Sequence, residues 1–151
     1  MFSIFLFTVH LFFSLYMLGV IWFVQLVHYP IFSFLHFDIE KNPFTFHQSR
    51  TTIVIMFPMI LELASIILLI FIPFPNFFSV LILLLLTLLI WLSTFTMQVP
   101  AHKMLKKIKN DSVIKKLINT NWLRTILWTL KGIYLFLMVW TLLRDSVVVV
   151  C

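Results

Sequence analysis

Polar side chains that could bind or transform a ligand recur on one face of each of four long apolar segments. In a helix, residues three or four positions apart share a face because the chain turns about 100° per residue. This spacing places His10, Gln25 and His28 on one stripe of the first segment. Since a polar side chain in hydrocarbon is costly unless it meets another helix, water or a ligand, the stripes predict a polar interior.

A set of these polar residues is expected at one level, close to the helix ends beside two basic connections. The set contains Gln25, His28, His47, Arg50, Gln98, His102, Asn121 and Arg124. Arg124 lies near the expected start of the last helix, where a positive charge opposes the helix dipole, so it requires a partner. That partner could be a lipid phosphate, or an anionic or carbonyl group of a substrate. The candidate substrate-binding residues are Gln25, Gln98, Asn121 and Arg124.

Glu62 and Lys131 lie deeper, each about 15–18 Å from the start of its helix at a rise of 1.5 Å per residue. Their similar depth predicts that they pair. Two interpretations are open. The pair could fix the second and fourth helices in register, either charged or neutralised by transfer of a proton, or it could handle protons in a reaction or a relay.

Histidines from three helices are expected at the level of the basic connections. His28, His47 and His102 could together bind a transition metal or supply an axial haem ligand, although no HxxxH or ExxH pair is present. Alternatively, His28 or His102 would transfer a proton. His10 has no histidine at its own level, which argues against two haems across a membrane. The candidate catalytic residues are His28, His102 and Glu62, and the sequence leaves the cofactor open.

The elements that position these residues follow from a very apolar composition. Of 151 residues, 62% are apolar and 11% are charged, whereas soluble domains are about 45–50% apolar and about a quarter charged. A run of roughly 20 apolar residues can cross a bilayer as a helix, in which each backbone amide is bonded within its own segment. The expected fold is an all-α polytopic membrane protein, a bundle of four transmembrane helices in a single domain, 1–151. The expected spans are 2–29, 51–71, 77–99 and 122–143.

Helix breakers and basic residues define the connections. Asn42 and Pro43 form a helix-start pair, so the second helix is expected to begin before its span and to include His47. The third helix would include His102 if it continues past Pro100. In the basic connection at 101–120, apolar residues alternate with lysines at helical spacing, which predicts amphipathic segments at the membrane interface.

The net charge of +6 is concentrated in the connections 30–50 and 100–120. By the positive-inside rule both connections are cytoplasmic and both termini lie outside, in the cell inner membrane. The expected partner is therefore the lipid bilayer, and the charge gives no argument for nucleic-acid binding. The single cysteine, Cys151, excludes an intramolecular disulfide. The oligomeric state is left open.

Three functions are compatible with this pattern. A membrane-embedded enzyme or cofactor protein would bind a lipophilic, partly polar molecule, such as a quinone or a polyketide-like aromatic, in the cytoplasmic half. A small transport or proton-relay protein would use the polar stripes as a path. A structural subunit of a membrane complex would turn its polar stripes outward to other subunits.

The segments GVIWFVQLVHYP, FPMILEL, IWLST followed by QVPAH, and NWLRT followed by WTLKG resemble a group of small bacterial four-helix membrane proteins of uncharacterised function. NWLRT is also similar to the start of the last helix in the anthrone oxygenase-like family. That second resemblance implies an oxidoreductase or oxygenase that acts on polycyclic aromatic substrates. The residues that would carry such an activity are Gln25, His28, Glu62, Gln98, His102, Asn121 and Arg124.

Overall fold

A computed structural model describes the backbone of residues 1–34, 43–72, 76–107 and 111–150, and the side chains of 1–34, 50–72, 76–105 and 111–145. The described residues form helices and short turns, with no strand among them. Four helical segments are long and apolar enough to cross a membrane: Phe2–Ile31, Arg50–Ile70, Phe77–Leu105 and Asp111–Asp145. These four spans pack against one another as a four-helix bundle, which confirms the expected fold class.

The first and third spans each contain one π-helical turn. The first consists of an α-helix at Phe2–Phe23, a π turn at Val24–His28 and a further α turn at Tyr29–Ile31. The third consists of an α-helix at Phe77–Ser93, a π turn at Thr94–Gln98 and an α-helix at Val99–Lys107. Continuation through Val99–Lys107 confirms that the third helix includes His102.

Both π turns end two residues before a proline, Pro30 or Pro100. A proline inside a helix lacks the amide that would bond to the carbonyl four residues back, and its ring clashes with that carbonyl. A π turn is wider because its hydrogen bonds span five residues instead of four. The wider turn separates the ring from the carbonyl, so the helix passes each proline instead of ending there.

The second helix, Pro43–Ile70, begins at Pro43 as the sequence predicts and continues through Pro58. The fourth helix, Asp111–Val150, begins well before the expected span at 122–143. The expected connection at 101–120 is therefore divided between the end of the third helix and the first turns of the fourth. Val113, Ile114 and Leu117 are buried in an apolar cluster with residues of the first and third spans, and this burial draws the early turns of the fourth helix into the bundle.

Apolar and polar layers alternate along the bundle. One end is closed by an apolar cluster that contains Leu6, Phe7, Ile66, Leu69, Val80, Leu83, Leu135 and Met138. The next layer is polar and is named the deep polar cluster: His10, Ser14, Glu62, Ser65, Thr87 and Lys131, all buried. The middle apolar layer follows, with Met17, Ile21, Met59, Ile90 and Trp128. Beyond it lies the second polar region, at the end of the bundle that carries the basic connections.

Candidate functional site

The deep polar cluster is centred on an ion pair. Lys131 Nζ lies 2.6 Å from Glu62 Oε1, and both side chains are 0% exposed, which confirms that the two residues pair. Ser14 donates to the same carboxylate oxygen at 2.5 Å, and Lys131 also donates to the hydroxyl of Thr87. The pair connects the second and fourth spans, and the two hydroxyls attach the first and third spans to it.

His10 completes this cluster. Its Nδ1 lies 3.1 Å from the backbone oxygen of Glu62 and 3.3 Å from Ser65 Oγ. A carbonyl oxygen only accepts hydrogen bonds, so Nδ1 carries the proton in this arrangement and Nε2 is an acceptor. His10 Nε2 and Glu62 Oε2 are buried without a hydrogen-bond partner in the described part of the chain. The cluster thus has two acceptor atoms without a hydrogen-bond donor, His10 Nε2 and Glu62 Oε2, next to the Glu62–Lys131 ion pair.

The second polar region contains a chain of hydrogen bonds between the first and fourth spans. Asn121 Nδ2 donates to Gln25 Oε1 at 2.8 Å, and Gln25 Nε2 donates to the Ile118 carbonyl at 3.3 Å. Arg124 Nη1 donates to Asn121 Oδ1 at 3.2 Å. Each of the three side chains is at most 2% exposed. These hydrogen bonds therefore fix one nitrogen of the Arg124 guanidinium inside the bundle.

Gln98 of the third span faces this region from its π turn. Its Nε2 donates to Thr120 Oγ1 at 3.0 Å, and the Thr120 hydroxyl donates to the Lys116 carbonyl at 2.8 Å. With its single hydroxyl proton donated to the Lys116 carbonyl, the Thr120 oxygen accepts from Gln98, and this network assigns Nε2 of the amide to the side facing Thr120. Gln98 Oε1 is consequently an acceptor, buried and without a described partner.

Tyr29 and His102 form a third element of the region. The Tyr29 hydroxyl lies 3.1 Å from His102 Nε2, and the ring centroids are 5.6 Å apart. Tyr29 is buried and His102 is half-buried. A hydroxyl hydrogen-bonded to an imidazole can pass a proton in either direction, so this pair is the best candidate acid or base of the region.

A cavity of about 90 Å³ lies among these groups and is named the polar pocket. All four spans contribute to its lining, which consists of Tyr29, Thr51, Thr52, Ile55, Met56, Thr94, Gln98, Val99, His102 and Arg124. Arg124 has two further nitrogens, Nε and Nη2, that are buried without a described partner. Polar side chains of all four spans therefore line one cavity. Of the predicted set, Gln98, His102 and Arg124 line it, whereas Gln25 and Asn121 lie behind Arg124 in the hydrogen-bond chain.

Several predicted site residues lie elsewhere. His28 is half-buried and lines a separate groove with Arg50 and Val54. Its expected place is taken by Tyr29, because the π turn contains one more residue than an α turn and shifts the following positions around the helix. Glu62 lies in the deep polar cluster, beyond the middle apolar layer. His47 falls outside the residues whose side chains are described.

The predicted metal set is not assembled by the described side chains. His102 lines the polar pocket and His28 lines the other groove, and no group of three His, Cys, Asp or Glu side chains in the described ranges is placed to hold a metal ion. The expectation that the helix dipole opposes Arg124 is also wrong. The fourth helix begins at Asp111, so Arg124 lies beyond the first turn, where the helix dipole has little effect.

The sequence-based site lists omitted Tyr29, Thr51 and Thr94, which line the polar pocket. Pro30, a proline inside the apolar run of the first span, is the sequence signal that could have indicated the shift at Tyr29.

Comparison of the chain with protein-family models, with curated proteins and with solved structures finds no match in any of the three. Its function must therefore be inferred from the chemistry of the polar pocket.

Proposed function

We propose that the polar pocket binds a lipophilic molecule through an oxygen-bearing polar end. The observation that carries this proposal is Arg124, a buried cation that lines the cavity and has only neutral hydrogen-bond partners among the described residues, Asn121 and Tyr29. A buried charge without an opposite charge is destabilising by several kcal/mol. Binding of a ligand to that charge would offset this cost, so such a residue indicates a binding site. The four apolar spans favour a ligand that reaches the pocket through lipid.

The residues that line the pocket determine which hydrogen-bonding groups the polar end of the ligand should have. Arg124 can only donate hydrogen bonds, whereas Gln98 Oε1 can only accept them. A complementary ligand presents an oxygen acceptor to Arg124 and a hydroxyl donor to Gln98. Ile55, Met56 and Val99 supply apolar walls, as is usual in pockets for small organic molecules. Quinones, quinols and polyketide-like aromatics have this combination of carbonyl, hydroxyl and apolar ring.

An oxidoreductase or oxygenase-like reaction is the activity we attach to this site. The Tyr29 and His102 pair would give a proton to a ligand oxygen or remove one from it. The similarity of NWLRT to the anthrone oxygenase-like family supports a polycyclic aromatic as the substrate. Because the described side chains do not assemble a three-ligand metal set, we assign no step to a metal.

The same proposal includes an orientation in the cell inner membrane. The positive-inside rule makes the basic connections cytoplasmic, so the polar pocket lies in the cytoplasmic half and both termini lie outside. Cys151 is the single cysteine, which allows a direct measurement. A membrane-impermeant maleimide added to spheroplasts should label Cys151, and labelling only after lysis would reverse the orientation.

A cavity-filling variant tests ligand binding. Val99→Trp places an indole in the lining, so it should abolish saturable binding of a hydroxyanthraquinone, measured by the shift of its visible absorption in detergent solution. The matched control is Leu85→Trp, an exposed position of the same helix that does not line the pocket, and it should bind as the wild type does. Equal binding by both variants, or no saturable binding by the wild type, would contradict the proposed function.

A proton relay is the second candidate, because His10 Nε2 and Glu62 Oε2 are unused acceptors in the deep polar cluster. Such a relay would have to cross the middle apolar layer to reach the polar pocket. Met17, Ile21, Met59 and Ile90 offer no hydrogen-bonding side chain there, and the fifth residue of the layer, Trp128, has an indole N–H that donates but does not accept. Proton flux through liposomes containing the wild type, lost in Glu62→Gln, would favour the relay over ligand binding.

A further inference from the structure

A second cavity, named the outer groove, lies on the outside of the bundle between the first and second spans. It has a volume of about 230 Å³, and its lining includes Phe23 of the first span and Val54 of the second, which are 58% and 46% exposed. In a membrane this outer face meets lipid. The outer groove is therefore open to molecules of the bilayer.

The two ends of the outer groove differ in polarity. The end beside the basic connections is lined by His28, Arg50 and Thr51. Towards the middle of the bundle the lining is mainly apolar and includes Val20, Phe23, Val24 and Val54. Arg50 is the first residue of the second span, so its guanidinium lies near the membrane boundary. The outer groove thus has a polar, cationic end at the boundary and an apolar end in the hydrocarbon, which is the polarity pattern of a lipid.

The distance between the two ends agrees with the layers of a bilayer. Val54 lies about 6 Å deeper than Arg50, and Val20 lies about 12 Å deeper than His28, at a rise of 1.5 Å per residue. The head-group region of one leaflet is about 5–8 Å thick, because a hydrocarbon core of about 30 Å lies in a bilayer of about 40–45 Å. A phospholipid with its phosphate beside Arg50 would therefore place the start of an acyl chain against these valines.

Charge selects the head group. Arg50 is exposed and permanently cationic, and no acidic side chain lines the outer groove within the described ranges. A guanidinium has parallel N–H donors that match two oxygens of one phosphate, and the His28 imidazole is a second hydrogen-bonding group at the same end. A head group with its own ammonium would bring a like charge towards Arg50, whereas a glycerol head group adds only hydroxyls. The outer groove should therefore prefer an anionic phospholipid to a zwitterionic one.

We propose that the outer groove binds one anionic phospholipid, with the phosphodiester against Arg50 and His28 and an acyl chain along the apolar lining. Basic pockets between transmembrane helices bind anionic lipid head groups through the same combination of charge and apolar surface. Thr51 and Ile55 line both this groove and the polar pocket, so they form the wall between the two cavities. The lipid site does not depend on which ligand the polar pocket takes.

Lipids that share acyl chains and differ in the head group test the site on the unmodified protein. Native mass spectrometry of the full chain in a non-ionic detergent measures the binding of dioleoyl phosphatidylglycerol and dioleoyl phosphatidylethanolamine. Phosphatidylglycerol should fill one saturable site and bind about 5-fold or more tightly, because a basic residue near an anionic head group contributes about that factor. Equal affinity for the two lipids, or no saturation, would overturn the proposal. Displacement of phosphatidylglycerol by inorganic phosphate would assign the site to free phosphate and would also overturn it.

Substitutions at the two ends of the outer groove locate the lipid. Arg50→Gln removes the cation, so binding of phosphatidylglycerol should weaken by about 10-fold or more. Its control is Lys115→Gln, which removes an exposed cation outside the groove. Val54→Trp fills the apolar part and should abolish saturable binding. Its control is Ile53→Trp, at the adjacent position, which is 66% exposed and does not line the groove. Both controls should bind as the wild type does.

Wild-type affinity in a folded Arg50→Gln or Val54→Trp protein would overturn the proposal. A wild-type mass of two chains that Val54→Trp reduces to one would assign the outer groove to a second copy of the chain, and the lipid site would again be wrong. If neither variant folds, the comparison of the two head groups on the wild type decides the question alone.

Discussion

The deep polar cluster and the polar pocket each hold one buried cation, and they treat it differently. Lys131 is 0% exposed and Arg124 is 2% exposed, and the two lie about two turns apart on the same helix. Lys131 is 2.6 Å from a carboxylate. Arg124 has no carboxylate partner in the described part of the chain, and its hydrogen-bond partners, the Asn121 amide and the Tyr29 hydroxyl, are neutral.

The difference separates architecture from binding. A buried cation that is paired within the chain holds helices together, and loss of its partner leaves the other charge unpaired. A buried cation without an opposite charge lowers the stability of the empty protein and is useful only if something else completes it. Sites of this second kind commonly trade stability for function. Replacement of each cation by an apolar residue should therefore change the free energy of unfolding in opposite directions at the two positions.

Removal of Lys131 should have the largest effect. Lys131→Met leaves Glu62 buried without an opposite charge, so the free energy of unfolding should fall by about 3–5 kcal/mol. Unfolding by SDS titration in mixed micelles measures the change. The control, Lys103→Met, removes an exposed lysine and should change stability by less than about 0.5 kcal/mol.

The double variant Glu62→Leu with Lys131→Met removes both charges and should recover most of the loss, because an apolar pair can replace a buried ion pair. If the single variant were as stable as the wild type, the deep polar cluster would not be a structural lock.

Removal of Arg124 should act in the opposite direction. Arg124→Met deletes an uncompensated buried charge, so the free energy of unfolding of the ligand-free protein should rise by about 1–2 kcal/mol while binding of the lipophilic ligand is lost. The same SDS titration measures it. A fall as large as that of Lys131→Met would mean that both cations are structural, and the contrast between the two regions would disappear.

The smallest effect is expected at the hydroxyl of Tyr29. Tyr29→Phe removes one hydrogen bond to His102 and keeps the ring, so the free energy of unfolding should fall by about 0.5–1.5 kcal/mol. Tyr16→Phe is the control, because Tyr16 is exposed and its hydroxyl is 3.5 Å from the Val54 carbonyl. A larger loss than that of Lys131→Met would assign the pocket a structural role instead of a binding role.

The sequence predicts the bundle and the ion pair because both depend on quantities that can be read directly from it, namely the length of each apolar run and the position of each charged residue within its run. The length of an apolar run and the helical rise of 1.5 Å per residue set the number of spans and the depth of each residue. Glu62 and Lys131 come out at one depth, and the cost of an isolated charge in lipid then implies that they pair. Neither step requires the rotation of a helix to be known in detail.

The lining of the pocket depends on that rotation and was predicted less well. Counting 100° per residue puts His28 beside Gln25, but the π turn at Val24–His28 moves Tyr29 to the buried face. The early start of the fourth helix was also missed, because its lysines resemble an interfacial segment while Val113 and Leu117 between them are buried. Pro30, which the sequence does display, accounts for the first case, and tertiary packing, which a single sequence does not display, decides the second.

The π turns are the places where these two spans can change length without moving the polar pocket. The turn at Val24–His28 contains one residue more than an α turn, and none of its residues lines the polar pocket. Loss of one codon there would restore an ordinary helical repeat and leave the phenol of Tyr29 facing the same way. Loss of a codon elsewhere in the span would instead rotate every later residue by about 100° and turn that phenol away from the polar pocket.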